Sequence, residues 1–94
     1  MEGARQMIKA NNLWTYRRKN ALPQKKVAFL LDHKTTSQLS HYERGIKYPS
    51  LLNALKLEII YNVPVAFLFS DLYRDLRDNL QARKKESNIL FPEK

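Results

Sequence analysis

Apolar residues recur every three or four positions along most of the chain, and no stretch alternates apolar and polar residues for long enough to form a convincing strand. The spacing therefore predicts an all-α fold with six helices. The first three helices are marked by Leu13 and Tyr16, by Val27, Ala28, Leu30 and Leu31, and by Leu39 and Tyr42. The last three are marked by Leu51, Leu52, Leu55 and Ile59, by Val65, Phe67 and Leu68, and by Leu72, Leu76 and Leu80.

Residues that cap or break helices set the expected boundaries. Asn20 tolerates the left-handed conformation and ends the first helix, and Pro23 marks the start of the second. Gly45 suits the position after the third helix, where the backbone turns with a positive φ angle. Ser50 is a good N-cap for the fourth helix, and Pro64 opens a short fifth helix.

The third helix begins with short polar side chains, in the segment "TTSQLSHYERG" at residues 35–45. Thr35 and Gln38 have the T-x-x-Q spacing of a capping box, which makes Thr35 the expected N-cap. When Leu39 and Tyr42 face the core, the residues left outside are Thr36, Ser37, Ser40, His41 and Arg44. These hydrogen-bonding groups and cations are suited to contact a polar surface, and the simpler alternative is a solvated helix face.

The length of 94 residues allows one compact domain and is too short for two. We expect a single domain over residues 1–94, with a core at 7–69, a C-terminal helix at 70–86 and a tail at 87–94, loosely held from about residue 84. The stripe of Leu72, Leu76 and Leu80 on the C-terminal helix is narrow, which favours self-association through this helix. Packing on the same domain and binding of another protein are the alternatives.

The composition argues against several chemical functions. The chain has no cysteine, so a disulfide framework, a thiolate zinc site and a cysteine nucleophile are all impossible. His33 and His41 are its two histidines and no convergent carboxylate pair accompanies them, so we expect no metal site, no cofactor and no catalytic residue. The longest apolar run, at 63–69, is far shorter than the ~20 residues of a membrane-spanning helix, and the N-terminus lacks a signal-peptide pattern. We expect a soluble cytoplasmic protein without enzymatic activity.

The positive charge is concentrated in the first half of the chain. The net charge is +8 overall; residues 1–48 carry ten Lys or Arg against three acids, whereas residues 49–94 carry seven against six. This asymmetry favours a polyanionic partner, either a nucleic acid or an anionic membrane surface. A basic surface that is merely solvated is the alternative.

Three segments together resemble a known family. They are "LWTYRRKNALPQKKVAFLL", "TTSQLSHYERG" and "YPSLLNALKLEIIYNVPVAFLF", which cover about residues 12–69. In spacing and residue type they are similar to the phage-repressor and Cro-like (Xre-type) helix-turn-helix proteins. The resemblance implies a five-helix lambda-repressor-like domain, to which this chain adds a C-terminal helix.

The resemblance implies that the protein binds double-stranded DNA sequence-specifically, with the third helix in the major groove. It further implies a homodimer on a palindromic operator, repression of transcription and a location at the nucleoid. The residues at base-reading positions are Thr36, Ser37 and His41, with Gln38 as a further candidate that the capping box would restrain. The residues at phosphate-binding positions are Gln24, Thr35 and Arg44, with Lys25, Lys26 and Lys34 added on charge and location. Arg17 and Glu43 match an internal salt bridge of the family.

Some positions depart from the family pattern. The turn "DHK" is one residue longer than the commonest form, and Asp32 stands where glycine is usual, so the register of the base-reading residues could differ by one. Pro23 replaces the usual threonine N-cap of the second helix, and Ala21 the usual glycine before it. An antitoxin, or another protein-interaction module on the same scaffold, is the alternative function.

Overall fold

The computed structural model describes residues 10–92, which form six α-helices and no strand. The helices are α1 (Leu13–Lys19), α2 (Gln24–Leu30), α3 (Ser37–Glu43), α4 (Leu51–Tyr61), α5 (Val65–Leu68) and α6 (Ser70–Leu90). The predicted all-α fold, a five-helix domain with an additional C-terminal helix, is confirmed. The expected domain limits at residues 1 and 94, and the expected start of the core at residue 7, lie outside the described residues.

The core lies between the first five helices. Its largest fully buried side chains are Leu13, Val27, Leu39, Leu57, Tyr61 and Leu68, so α1 to α5 each contribute at least one. Burying an aliphatic side chain of this size stabilises the fold by roughly 1.5–3 kcal/mol. The helices depend on this burial, because α1, α2, α3 and α5 span seven residues or fewer.

The apolar residues that mark α4 in the sequence are not the ones that face the core. Leu51, Leu52, Leu55 and Ile59 are 73, 70, 45 and 77% exposed, whereas Ala54, Leu57 and Tyr61 are buried. Because α4 carries apolar residues on two opposite faces, its helical periodicity alone did not identify the face that packs inward. Leu30, which marks α2 in the sequence, and Phe67, which marks α5, are also 44 and 58% exposed.

The helix ends follow local chemistry, with one correction. Gly45 has a φ angle of 71° after α3, and the Oγ of Ser50 accepts a hydrogen bond from the Asn53 backbone N–H at 3.2 Å, so both predicted caps are confirmed. After α1, however, Asn20 keeps a φ angle of −89° and Ala21 takes the left-handed conformation at 54°. The left-handed residue is therefore the one at the position where the family usually has glycine.

Helix α6 projects from the domain. It packs at its start against α5, where Leu72 contacts the core, and none of its residues is fully buried. The Cα radius of gyration is 16.7 Å, against roughly 12 Å for a compact domain of this length. Helical structure continues to Leu90, so the expected helix end at residue 86 is wrong, and the expected loose segment from residue 84 stays a prediction.

Candidate nucleic-acid interface

The turn between α2 and α3 is closed by a left-handed aspartate. Asp32 has a φ angle of 63°, and the His33 backbone N–H donates to the Ala28 carbonyl at 2.9 Å, which satisfies an acceptor at the end of α2. Aspartate is among the residues that tolerate this conformation when glycine is absent. The turn with Asp32 in place of glycine thus still brings the chain round to begin α3.

Helix α3 begins one residue later than predicted. The helix starts at Ser37 with Thr36 as its N-cap, and Thr36 makes no side-chain capping hydrogen bond. Instead, the Oγ1 atom of Thr35 accepts a hydrogen bond of 3.3 Å from the Ser37 backbone N–H. The predicted capping box between Thr35 and Gln38 is therefore wrong, because the threonine hydroxyl makes a local turn to the residue two positions on rather than a helix cap.

The outer face of α3 carries the residues expected at a DNA surface. Leu39 and Tyr42 are buried, as predicted, and Ser37, Gln38 and Arg44 are exposed. Thr36, Ser40 and His41 are half-buried. The side chain of Gln38 is not engaged by Thr35, so it is available to a ligand on this face together with Ser37 and His41.

Cations and hydroxyls lie beside the start of α3. Lys25, Lys26 and Lys34 are all exposed. An open groove beside them is lined by Lys25, Phe29, His33, Lys34, Thr35 and Thr36. The structure therefore brings Lys25, Lys34 and Thr35 together beside Thr36 at the start of α3, whereas Gln24 and Lys26 do not line this groove.

A buried carboxylate connects α3 to the two preceding helices. Arg17 of α1, only 8% exposed, donates from Nε to Oε2 of Glu43 at 2.5 Å and from Nη2 to Oε1 at 3.2 Å. The hydrogen bond from Arg17 to Glu43 raises the pKa of the guanidinium above its ordinary value. Arg17 also donates to the Leu22 carbonyl at 3.0 Å. The two residues matched to an internal salt bridge are thus in contact, and they fix the end of α3 against α1.

Gln24 also contacts this carboxylate, which sequence reasoning missed. Its Nε2 atom donates to Oε1 of Glu43 at 3.0 Å, and its side chain is half-buried at the start of α2. An amide group carries two N–H donors, so one donor remains for a ligand on the outer side. No sequence pattern short of the family motif pairs Gln24 with Glu43, since 19 residues separate them.

A second polar contact missed from the sequence joins the turn to α4. Asn53 Nδ2 donates to the Tyr42 hydroxyl at 3.1 Å and lies 3.4 Å from Nε2 of His33, whose ring packs edge-on to that of Tyr42. His33 therefore supports the position of α3 from inside. No group of three or more His, Cys, Asp or Glu side chains in residues 10–92 is placed to hold a metal ion.

The predicted dimer residues of α6 differ in exposure. Leu72 is half-buried against the core, whereas Leu76 and Leu80 are 52 and 68% exposed. Their stripe thus begins on the domain and continues onto the projecting part of the helix. No helix within residues 10–92 combines the length and the apolar character needed to cross a membrane.

Two short helices joined by a tight turn, the second with an exposed polar face and lysines beside it, define a helix-turn-helix protein of the DNA-binding class. The family model described as helix-turn-helix matches residues 15–68, more than half of the chain. The chain belongs to this family, the Xre, Cro and lambda-repressor-like proteins, whose members are DNA-binding regulators. No curated protein shows a significant match to the sequence.

Proposed function

We propose that the protein is a sequence-specific transcriptional regulator, acting as a repressor, which inserts α3 into the major groove of double-stranded DNA. The observation that carries this proposal is the exposed face of α3, where Ser37, Gln38 and His41 are held on a helix fixed by the Arg17–Glu43 ion pair. Hydroxyl, amide and imidazole groups are suited to hydrogen bonds with base edges. The helix that carries them is anchored before binding, which lowers the cost of ordering this surface on DNA.

The phosphate contacts in this proposal come from residues around the base-reading face. Lys25, Lys26 and Lys34 supply charge without sequence preference, and Gln24 supplies its second amide N–H. Thr35 and Arg44 lie at the two ends of α3. Contacts at both ends would fix the register of the helix along the groove.

Repression follows from this arrangement in a simple way. A protein bound in the major groove over a promoter excludes other proteins from the same DNA, and two-fold symmetry would match the operator to a palindrome. Cofactors and metals have no part in the proposed activity.

Selection of bound sequences from a random duplex pool tests the proposal most directly. Enrichment of an inverted repeat with half-site centres about 34 Å apart, one helical turn, is the expected result. Binding to all duplexes with equal affinity would contradict sequence-specific regulation. Enrichment of a single unrepeated site would contradict binding as a dimer but would still support recognition of specific bases.

A second candidate function is a protein-interaction module such as an antitoxin. The exposed apolar residues of α6, including Leu76 and Leu80, favour it because a projecting apolar helix suits a protein partner. Absence of DNA binding together with a stable complex with a co-expressed protein would decide for this alternative.

A further inference from the structure

Helix α4 has an apolar face that nothing in residues 10–92 covers. Leu51, Leu52, Leu55 and Ile59 lie within about 100° of arc on the side of α4 opposite Leu57. Contiguous exposed leucine and isoleucine side chains of this kind mark an interaction site on a soluble protein. These four residues are called the α4 stripe below.

The α6 helix carries a matching exposed set, formed by Tyr73, Leu76 and Leu80 and called the α6 stripe below. These three side chains are 54, 52 and 68% exposed. An apolar groove lined by Tyr48, Pro49, Ala54, Val65, Phe69 and Leu72 lies between α4 and the start of α6. Ala54 lies one turn from Leu51 along α4, and Leu72 one turn from Leu76 along α6, so on each helix a groove residue lies next to a residue of the stripe.

We propose that the occupant of the α4 stripe is the α6 stripe of a second copy of this chain. In the resulting two-fold dimer, each projecting α6 lies over α4 of the other protomer. This inference rests on the dimer in the proposed function and identifies the surface that forms it, with α4 supplying half of the contact.

The exposed apolar area is large enough for a standard protein interface only when both stripes take part. A large aliphatic side chain has on the order of 100 Å² of apolar surface, so the α4 stripe exposes roughly 250–300 Å². A standard interface covers about 800 Å² per partner, of which roughly 450–520 Å² is apolar. Neither stripe reaches this value alone, whereas the two together expose roughly 450 Å² per protomer.

The charge distribution also allows two copies to meet here. The chain carries +8 overall, which would repel a second copy at most surfaces. Helix α4 contains one lysine and one glutamate, and residues 70–81 of α6 contain two arginines and three aspartates, so their net charges are 0 and −1. The two stripes therefore lie on weakly charged elements of a basic protein.

Charge insertion tests the contact in the absence of DNA. Leu52→Glu and Leu76→Glu, each at an exposed position, are each expected to raise the dimer dissociation constant at least tenfold in analytical ultracentrifugation. Phe29→Glu and Ala82→Glu place the same charge outside the stripes and are expected to leave it unchanged. Circular dichroism of each variant checks that the helices are retained. A monomeric wild-type protein, or a dimer that either stripe variant leaves intact, would overturn the proposal.

Cross-linking identifies which stripes meet. Because the chain has no native cysteine, disulfides form only between the introduced residues. Leu55→Cys and Leu76→Cys chains of different mass, mixed and oxidised, are expected to form the mixed disulfide dimer faster than either variant alone cross-links to itself. If Leu55→Cys cross-links to itself faster, α4 packs on α4 of the second copy. If Leu76→Cys does so, α6 packs on α6. Either result would overturn the proposal. Selection from the duplex pool is a separate measurement, so a failed interface does not count against DNA recognition.

Discussion

Arg17 and Glu43 lie 26 residues apart in the sequence, yet Nε of the arginine and Oε2 of the glutamate are 2.5 Å apart. Gln24 donates to the other oxygen of the same carboxylate at 3.0 Å. One buried carboxylate is therefore shared by α1, α2 and α3. These charge-assisted hydrogen bonds anchor the C-terminal end of α3 to α1 and α2, in addition to apolar packing.

Replacement of Glu43 should affect stability more than intrinsic DNA affinity. Glu43→Ala leaves the guanidinium of Arg17 nearly buried and without its partner, at a cost on the order of 3–5 kcal/mol in unfolding free energy. Urea denaturation measures this cost, and DNA affinity is measured where the variant remains folded. Glu43→Gln is the control, since it keeps an acceptor oxygen and should lose less. A stable Glu43→Ala protein that no longer binds DNA would contradict the structural role.

The sequence predicted the parts of the fold that local chemistry decides. Gly45 and Ser50 cap their helices as expected because a positive φ angle and a free backbone N–H each favour particular residue types. The inward face of α4 was not predictable in this way. Leu55 and Leu57 are equally apolar, and only the tertiary contacts of Leu57 determine that it is buried.

In the candidate site, too, some features follow from the local sequence and others from tertiary contacts. The exposed position of Ser37 and the buried position of Tyr42 follow from helical spacing. The start of α3 does not, because the Thr35 hydroxyl can accept a hydrogen bond either as a helix cap or in a local turn, and residue spacing does not decide between the two. Contacts between distant residues, such as Asn53 with Tyr42, leave no mark in a local pattern.

Ala21→Gly should stabilise the protein. Ala21 has a φ angle of 54°, a conformation in which its Cβ atom is crowded and glycine has no such penalty. We expect a gain of about 1 kcal/mol, seen as a rise in the thermal unfolding midpoint. Ala82→Gly, the same change at an exposed helical position, should instead lose up to about 1 kcal/mol. Equal effects of the two substitutions would show that Ala21 is not strained.

Tyr61 should make the protein sensitive to alkaline pH. Burial raises the pKa of its phenol above the ordinary value of 10.0, and within residues 10–92 the hydroxyl has no hydrogen-bond partner. Above about pH 10 the unfolded chain loses this proton while the folded chain keeps it, so the unfolding free energy falls as pH rises. Titration of Tyr61 does not change the unfolding free energy below about pH 10, and it lowers the unfolding free energy by up to about 1.4 kcal/mol per pH unit above that pH.

Tyr61→Phe removes this titration and tests its origin. The variant should be close to wild type near neutral pH, because the hydroxyl makes no bond to lose, and should become relatively more stable above about pH 10. Urea unfolding at a series of pH values measures the difference. Parallel stability curves for the two proteins would contradict the assignment.

The proposed phosphate contacts predict a change in salt dependence. Removal of a lysine that binds a phosphate should reduce the slope of log affinity against log salt by about 0.9 per lost contact. We expect this for Lys34→Gln at each half-site. Lys85→Gln, which removes the same charge near the far end of α6, should leave the slope unchanged. Equal slopes for both variants and wild type would exclude Lys34 from the interface.

The last prediction separates base contacts from phosphate contacts. Gln24→Ala removes a proposed phosphate contact, which every duplex offers, so it should weaken specific and nonspecific binding by similar factors. Gln38→Ala and His41→Ala remove groups that face the base edges in the proposed complex, so each should cost about 1–3 kcal/mol on the preferred site and much less on random DNA. Fluorescence anisotropy with the selected and a scrambled duplex measures both affinities for each variant. The ratio of specific to nonspecific affinity should therefore fall for the two α3 variants and stay constant for Gln24→Ala. If all three variants change this ratio equally, α3 does not read the bases in the register that begins at Ser37. A helix rotated by one residue would direct Gln38 and His41 away from the groove, so their removal would not affect base recognition.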